Sequence, residues 1–174
     1  MALEAERLCR RRGSLLFTHS SRCRFAARLD SGVGLMTELL VNVDVPDLPA
    51  AERFYCSAFL LKPGRRFGGD AVELIGASSK MYLLAKSAGT EGAAMTGSKR
   101  SYDRHWTPVH FDFVVDDLEK AVARSVAAGA AQEQSIRQTS WGSIAVMSDP
   151  FGHGYCLIKF SAPGYDAIAT PPGA

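Results

Sequence analysis

His110-Phe111-Asp112-Phe113-Val114-Val115-Asp116-Asp117-Leu118 reads as two elements in nine residues. Phe111, Phe113 and Val115 alternate with His110, Asp112 and Val114, and a period of two is that of a strand with one apolar face. Asp117 then stands where a helix N-cap belongs, ahead of the alanines and valines of 118–128. Seventy residues earlier the phrase occurs once before, as Leu40-Val41-Asn42-Val43-Asp44-Val45-Pro46-Asp47-Leu48, so that Val45, Asp47, Leu48 and Ala51 match Val115, Asp117, Leu118 and Ala121. A fixed internal period marks a duplicated unit whose copies bury their apolar faces together.

Each copy continues in the same order. In the first, a strand over 38–45 leads to a helix opened by Pro49 and stopped by Pro63 and Gly64, then to a short extended piece near 65–67 and strands over 71–76 and 80–86. In the second, a strand over 110–115 leads to a helix over 118–128 that Gly129 ends, then to strands over 133–138, 142–148 and 155–160, with Asp149-Pro150-Phe151-Gly152 as the last hairpin turn. Both read βαβββ, which makes the chain α+β. One domain over 36–161 follows, with module 1 at about 38–86, a Gly/Ala/Ser-rich linker at 87–107, module 2 at about 108–161 and an irregular tail at 162–174.

Composition narrows the function classes. At 174 residues, 47% hydrophobic and 22% charged, the chain is long enough for one globular core. No apolar run approaches the roughly 20 residues needed to cross a bilayer. Seven arginines against three acids give 1–35 a net +4, leaving thirteen basic and fifteen acidic residues in the remainder. A mildly acidic body argues against nucleic acid as a partner. Residues 1–35 are expected to be a poorly ordered leader, or to lie upstream of a start at Met36. Cys9, Cys23, Cys56 and Cys156 show no Cys-x-x-Cys spacing and no secretory leader precedes them, so reduced thiols in a cytoplasmic protein are expected. Neither a phosphate-cradling Gly-rich loop nor a Gly-x-Ser-x-Gly turn is present.

Paired βαβββ modules with Val-x-Asp-Leu at the head, and Ser148-Asp149-Pro150-Phe151-Gly152-His153-Gly154-Tyr155-Cys156-Leu157 before the last strand, resemble the glyoxalase, bleomycin-resistance and extradiol-dioxygenase superfamily, often called vicinal oxygen chelate proteins. The resemblance covers about residues 38–161. It implies a half-open cup of mixed β-sheet with helices on the outside, a small organic ligand in the concavity, often one divalent metal ion, and a homodimer. In metal-binding relatives each module supplies a ligand, commonly His, seven residues before the Asp of Asp-Leu, and an acid often comes from a last strand. Those positions here are Leu40 and His110, with Tyr82 and Cys156 on the last strands. One imidazole and one thiol fall short of the several donors that hard ions or a catalytic zinc take. No cofactor is therefore expected; the alternative is one divalent ion held by His110 with Asp112, Glu73 or His105, serving a lyase, isomerase or dioxygenase.

Alternation adds a ligand-facing surface. Leu40, Asn42 and Asp44 share one face of the first strand, as His110, Asp112 and Val114 do in the second. His110 beside Asp112 reads equally as a general base or ligand acceptor and as a structural hydrogen-bonding residue. Tyr82 and Trp141 offer a stacking wall or ordinary core packing. Cys156 reads as a small buried hydrophobe. His153 is expected to bond backbone in its turn, while Arg65, Arg66, Lys99, Arg100 and Arg104 rim the cup or are simply solvated.

Overall fold

The computed structural model describes residues 37–105 and 107–171. The expected leader and the start at Met36 lie outside the described residues.

β1 (Leu40–Val45) runs into α1 (Leu48–Phe59), followed by β2 (Lys62–Phe67), β3 (Ala71–Ile75) and β4 (Lys80–Ala85). β5 (Phe111–Val114) runs into α2 (Leu118–Ala127), then β6 (Ala131–Gln132), β7 (Arg137–Gln138), β8 (Gly142–Ser148) and β9 (Gly154–Phe160). The first sheet has the order β1-β4-β3-β2; the second is β5-β9-β8-β6, with β7 also on β8. The first strand of each module pairs parallel with the last, β1 with β4 and β5 with β9, and the rest is antiparallel. The fold is thus α+β, with two βαβββ modules whose mixed sheets stay unclosed as a half-open cup and whose helices lie on the outer side.

The duplicated phrase folds as its periodicity requires. Asp47 and Asp117 each cap a helix, accepting from Ala50 N at 2.9 Å and Lys120 N at 3.0 Å, bonds worth about 1 kcal/mol apiece. Val43 and Val45 are buried under α1, whereas Asn42 and His110 on the opposite faces are exposed. The modules then share one core. Phe59 stacks on Phe113 with ring centroids 3.9 Å apart, and Phe54 meets Phe151 edge-on at 6.3 Å. Arg124 of α2 donates to the Ala58 carbonyl at 2.8 Å, and the Tyr55 hydroxyl donates to Asp149 at 2.7 Å. Packing aromatics from both copies into one cluster is how neither module has to bury its apolar face alone.

Local differences from the sequence reading have local causes. Pro63 and Gly64 do not stop α1: Leu60, in the left-handed region at φ 57°, ends it, and Pro63 and Gly64 lie inside β2, where its register slips against β3. An edge strand with a bulge tolerates the missing amide of proline. Of the strand expected over 133–138 only β7 at its end forms, with β6 just ahead of the range at Ala131–Gln132, and both pair with β8. The tail contains a short 3-10 turn over Gly164–Ala167.

Candidate functional site

The ladders place Tyr82 and Cys156 at matching positions. Asn42 faces Tyr82 across β1 and β4, and Tyr82 faces Glu73 on β3. In module 2, Asp112 faces Cys156 across β5 and β9, and Cys156 faces Val146 on β8. Each row crosses the open side of its sheet. Asn42-Tyr82-Glu73 thus corresponds to Asp112-Cys156-Val146.

Module 1 closes its row with a charge clamp. Arg65 donates through Nε to Glu73 Oε2 at 2.9 Å and through Nη2 to Oε1 at 2.7 Å, while its backbone N–H donates to Oε2 at 3.2 Å. The Tyr82 hydroxyl adds a fourth donor to Oε1 at 3.0 Å. Two parallel N–H bonds from one guanidinium fix both carboxylate oxygens. Those bonds from Arg65, side chain first and then backbone, hold the Glu73 carboxyl down to about 2. Gly64 makes the approach possible, because a Cβ there would sit 2.7 Å from Glu73 Oε2. The Arg65 guanidinium lies 5.7 Å over the Phe67 ring, which stands 6.0 Å from Tyr82. Leu40 is exposed at the head of β1, and Asp44 is paired with Arg100 at 2.6 Å.

Module 2 brings its donors together, two of them exposed. His110 Nε2 is 3.4 Å from Asp112 Oδ1, and the donor atoms of His110, Asp112 and Cys156 all lie within 4.8 Å of one another. His110 and Asp112 are exposed, whereas Cys156 is buried. Burial, then the neighbouring Asp112 carboxylate, pushes the Cys156 thiol up to about 11. Arg104 is paired to Glu133 at the same edge, with Nη2 2.9 Å from Oε2.

A metal shared between the modules does not suit these residues. Module 1 presents the hydrocarbon of Leu40 and the phenol of Tyr82, and all the strong donors around Glu73 already hold its oxygens. Module 2 alone does offer three donors: His110, the Asp112 already named beside it as an alternative ligand, and Cys156. An imidazole, a thiolate and a carboxylate together suit a borderline ion such as zinc, which would have to displace the Cys156 proton.

Other residues singled out from the sequence lie apart from this row. Trp141 packs with Tyr165 at 5.2 Å and Phe160 at 6.1 Å, at the far end of β9. Arg66 pairs with Glu52 at 2.8 Å. His105 bonds the Asp103 carbonyl through Nδ1 at 2.8 Å, and His153 bonds the Asp149 carboxylate through its side chain at 2.9 Å, not only through its backbone. The Arg65 clamp went unseen in sequence, although Glu73 lies between Val72 and Leu74, so period-two reading already turns it toward the open face.

Comparison with known proteins accords with this architecture. The fold resembles that of the fosfomycin resistance protein FosX from Listeria monocytogenes at 15% identity and a TM-score of 0.55, covering 75% of this chain and 98% of that one. It is similar also to a glyoxalase/bleomycin resistance protein/dioxygenase family enzyme from Burkholderia phytofirmans PsJN (18% identity, TM-score 0.53, 70% and 97% covered). A third likeness is to lactoylglutathione lyase from Agrobacterium tumefaciens (19%, 0.50, 71% and 92%). A search of curated protein sequences returns no match. The model of the glyoxalase-like domain matches residues 40–158, two thirds of the sequence and both copies of the phrase that opens it, and the chain therefore belongs to that family.

Proposed function

We propose that this glyoxalase-like protein binds a small organic molecule against the open faces of its sheets, without a metal shared between the modules, and works in the cytoplasm as a homodimer. The observation that carries the reading is the Arg65-Glu73-Tyr82 clamp, which occupies with internal bonds the side of the cup where a metal ligand would stand. Exposed on that side are the Phe67 ring, Leu40 and the outer surface of the Arg65 guanidinium. Asn42 on the same face of module 1, and His110 and Asp112 of module 2, supply exposed polar groups. Apolar and aromatic surface with a few convergent polar atoms is what recognises an organic ligand. Ligand binding shifts the melting temperature by mass action, so metal-free protein screened against aromatic antibiotics, fosfomycin and thiol-conjugated metabolites will reveal the class by stabilisation. A compound that stabilises only when divalent metal is added defeats the reading.

A second reading rests on the clustering of His110, Asp112 and Cys156. Three donors with open positions beyond them are the arrangement of a catalytic ion, which serves a lyase, isomerase or dioxygenase by polarising an oxygen of the substrate. Near-stoichiometric metal in protein purified without chelator favours this second reading over the first.

A further inference from the structure

A pair of histidines, His105 and His153, independent of the reading above, sits where the linker crosses the turn between β8 and β9. The crossing is close: the His105 N–H donates to the Gly152 carbonyl at 3.3 Å, and a Cβ on Gly152, at φ 87°, would run into the carbonyl oxygens of Tyr102 and Asp103. Beside it opens a cavity of about 370 Å³ whose wall includes Asp44, Lys99, Arg100, Tyr102, His105 and His153.

Both imidazoles are anchored through Nδ1. His153 Nδ1 meets Asp149 Oδ2 at 2.9 Å, and His105 Nδ1 meets the Asp103 carbonyl at 2.8 Å. Asp149 is itself immobilised, its buried carboxylate accepting from Tyr55 OH at 2.7 Å, Phe151 N at 2.9 Å and His153 N at 2.8 Å. An oxygen acceptor at Nδ1 assigns the proton there and leaves the lone pair on Nε2. A carboxylate behind one ring and a backbone carbonyl behind the other are the outer supports that metal-binding histidines use.

The spacing agrees. The rings stand 5.4 Å apart between centroids, at 84°. With a metal–nitrogen distance of about 2.0–2.1 Å, two imidazoles on one tetrahedral ion have centroids about 5 Å apart. Local charge also favours a cation: Asp44, Asp103 and Asp149 outnumber Lys99 and Arg100, and Arg104 is matched by Glu133. We infer that His105 and His153 form a two-imidazole site for a divalent ion of the zinc type, its remaining positions open to water or to an oxygen of a ligand. Two protein donors make it an exchangeable site.

Zinc titration of the full chain by calorimetry, with the optical spectrum of added Co²⁺ as a second readout, tests this. His105→Ala and His153→Asn each weaken one bound ion about tenfold or more, and Cys156→Ser leaves it unchanged. Cobalt in this site gives ligand-field bands without thiolate charge transfer. Asparagine keeps a donor toward Asp149; should that variant still fail to fold, His105→Ala decides alone. A chain that binds no ion overturns the inference. So does an ion lost with Cys156→Ser and retained in His105→Ala.

Discussion

Module 1 and module 2 share a strand-helix phrase, a strand order and one core, and they differ where their sheets face outward. At the same three ladder positions module 1 carries an amide, a phenol and a carboxylate that Arg65 and Tyr82 hold, and module 2 carries a carboxylate, a thiol and an isopropyl group beside an exposed imidazole. Positions that pack inward are fixed by the neighbours they must touch; positions on the open face answer only to what they bind. One copy has been filled by its own side chains and the other left accessible.

Disrupting the shared core has the largest expected effect. Phe59 stacks on Phe113 and meets Tyr155 edge-on at 5.2 Å, so it ties α1 of the first copy to the sheet of the second. Phe59→Ala is expected to cost about 3 kcal/mol and to lower a single cooperative transition in urea. Two separated transitions would show that the modules fold as independent units and that the comparison is between two domains.

The second test addresses the clamp. Glu73 titrates at about 2, against an ordinary 4.5, because bonds from Arg65 favour its charged form. A depressed carboxyl supplies stability that is fully present above its unfolded value and lost as pH falls through its folded value, so the contribution persists below pH 4.5 and fades toward 2. Carboxyl carbon shifts followed by NMR should show this. Arg65→Ala is expected to return the midpoint most of the way to the ordinary range, and an unmoved midpoint would assign the depression to another cause.

The inward half of this architecture was legible in the sequence and the outward half was only partly so. Period-two alternation in Val41-Val43-Val45 and Phe111-Phe113-Val115 required a buried face, and Asp47 and Asp117 had one local role available, which they fill. Tyr82 and Cys156 could be aligned because last strands pair with first strands in register. The Arg65-Glu73 clamp could not be read, since it depends on the slipped register of β2 that brings residues eight apart face to face. Nor could Asp149 be seen as a hub, because Tyr55 reaches it from 94 residues away. Alternation tells which face a side chain takes; the partner on that face is a matter of tertiary register.

Zinc affinity separates the copies next. On the second reading, Asp112→Asn removes one of three clustered donors and weakens zinc at module 2 about tenfold, a loss of about 1.4 kcal/mol. Asn42→Asp, the reciprocal change at the matching position, is expected to leave zinc binding as it was, because Leu40 and Tyr82 beside it supply no second donor. Equal responses in calorimetry would erase the distinction between the modules.

The smallest effect uses the same variant in the opposite direction. Burial is the first cause of the raised Cys156 thiol and the Asp112 charge the second, so Asp112→Asn removes only the lesser part. The thiolate is the nucleophile, and a thiol titrating at about 11 reacts slowly at neutral pH. Alkylation of Cys156, followed by peptide mass spectrometry to distinguish it from the other three cysteines, is expected to be slow in the parent chain and a few-fold faster in Asp112→Asn. In both, the rate should climb as pH rises toward the thiol's own value. Were Asp112→Asn to slow the reaction instead, the carboxylate would be drawing the proton from sulfur, and module 2 would hold an activated thiol in place of a quiet one.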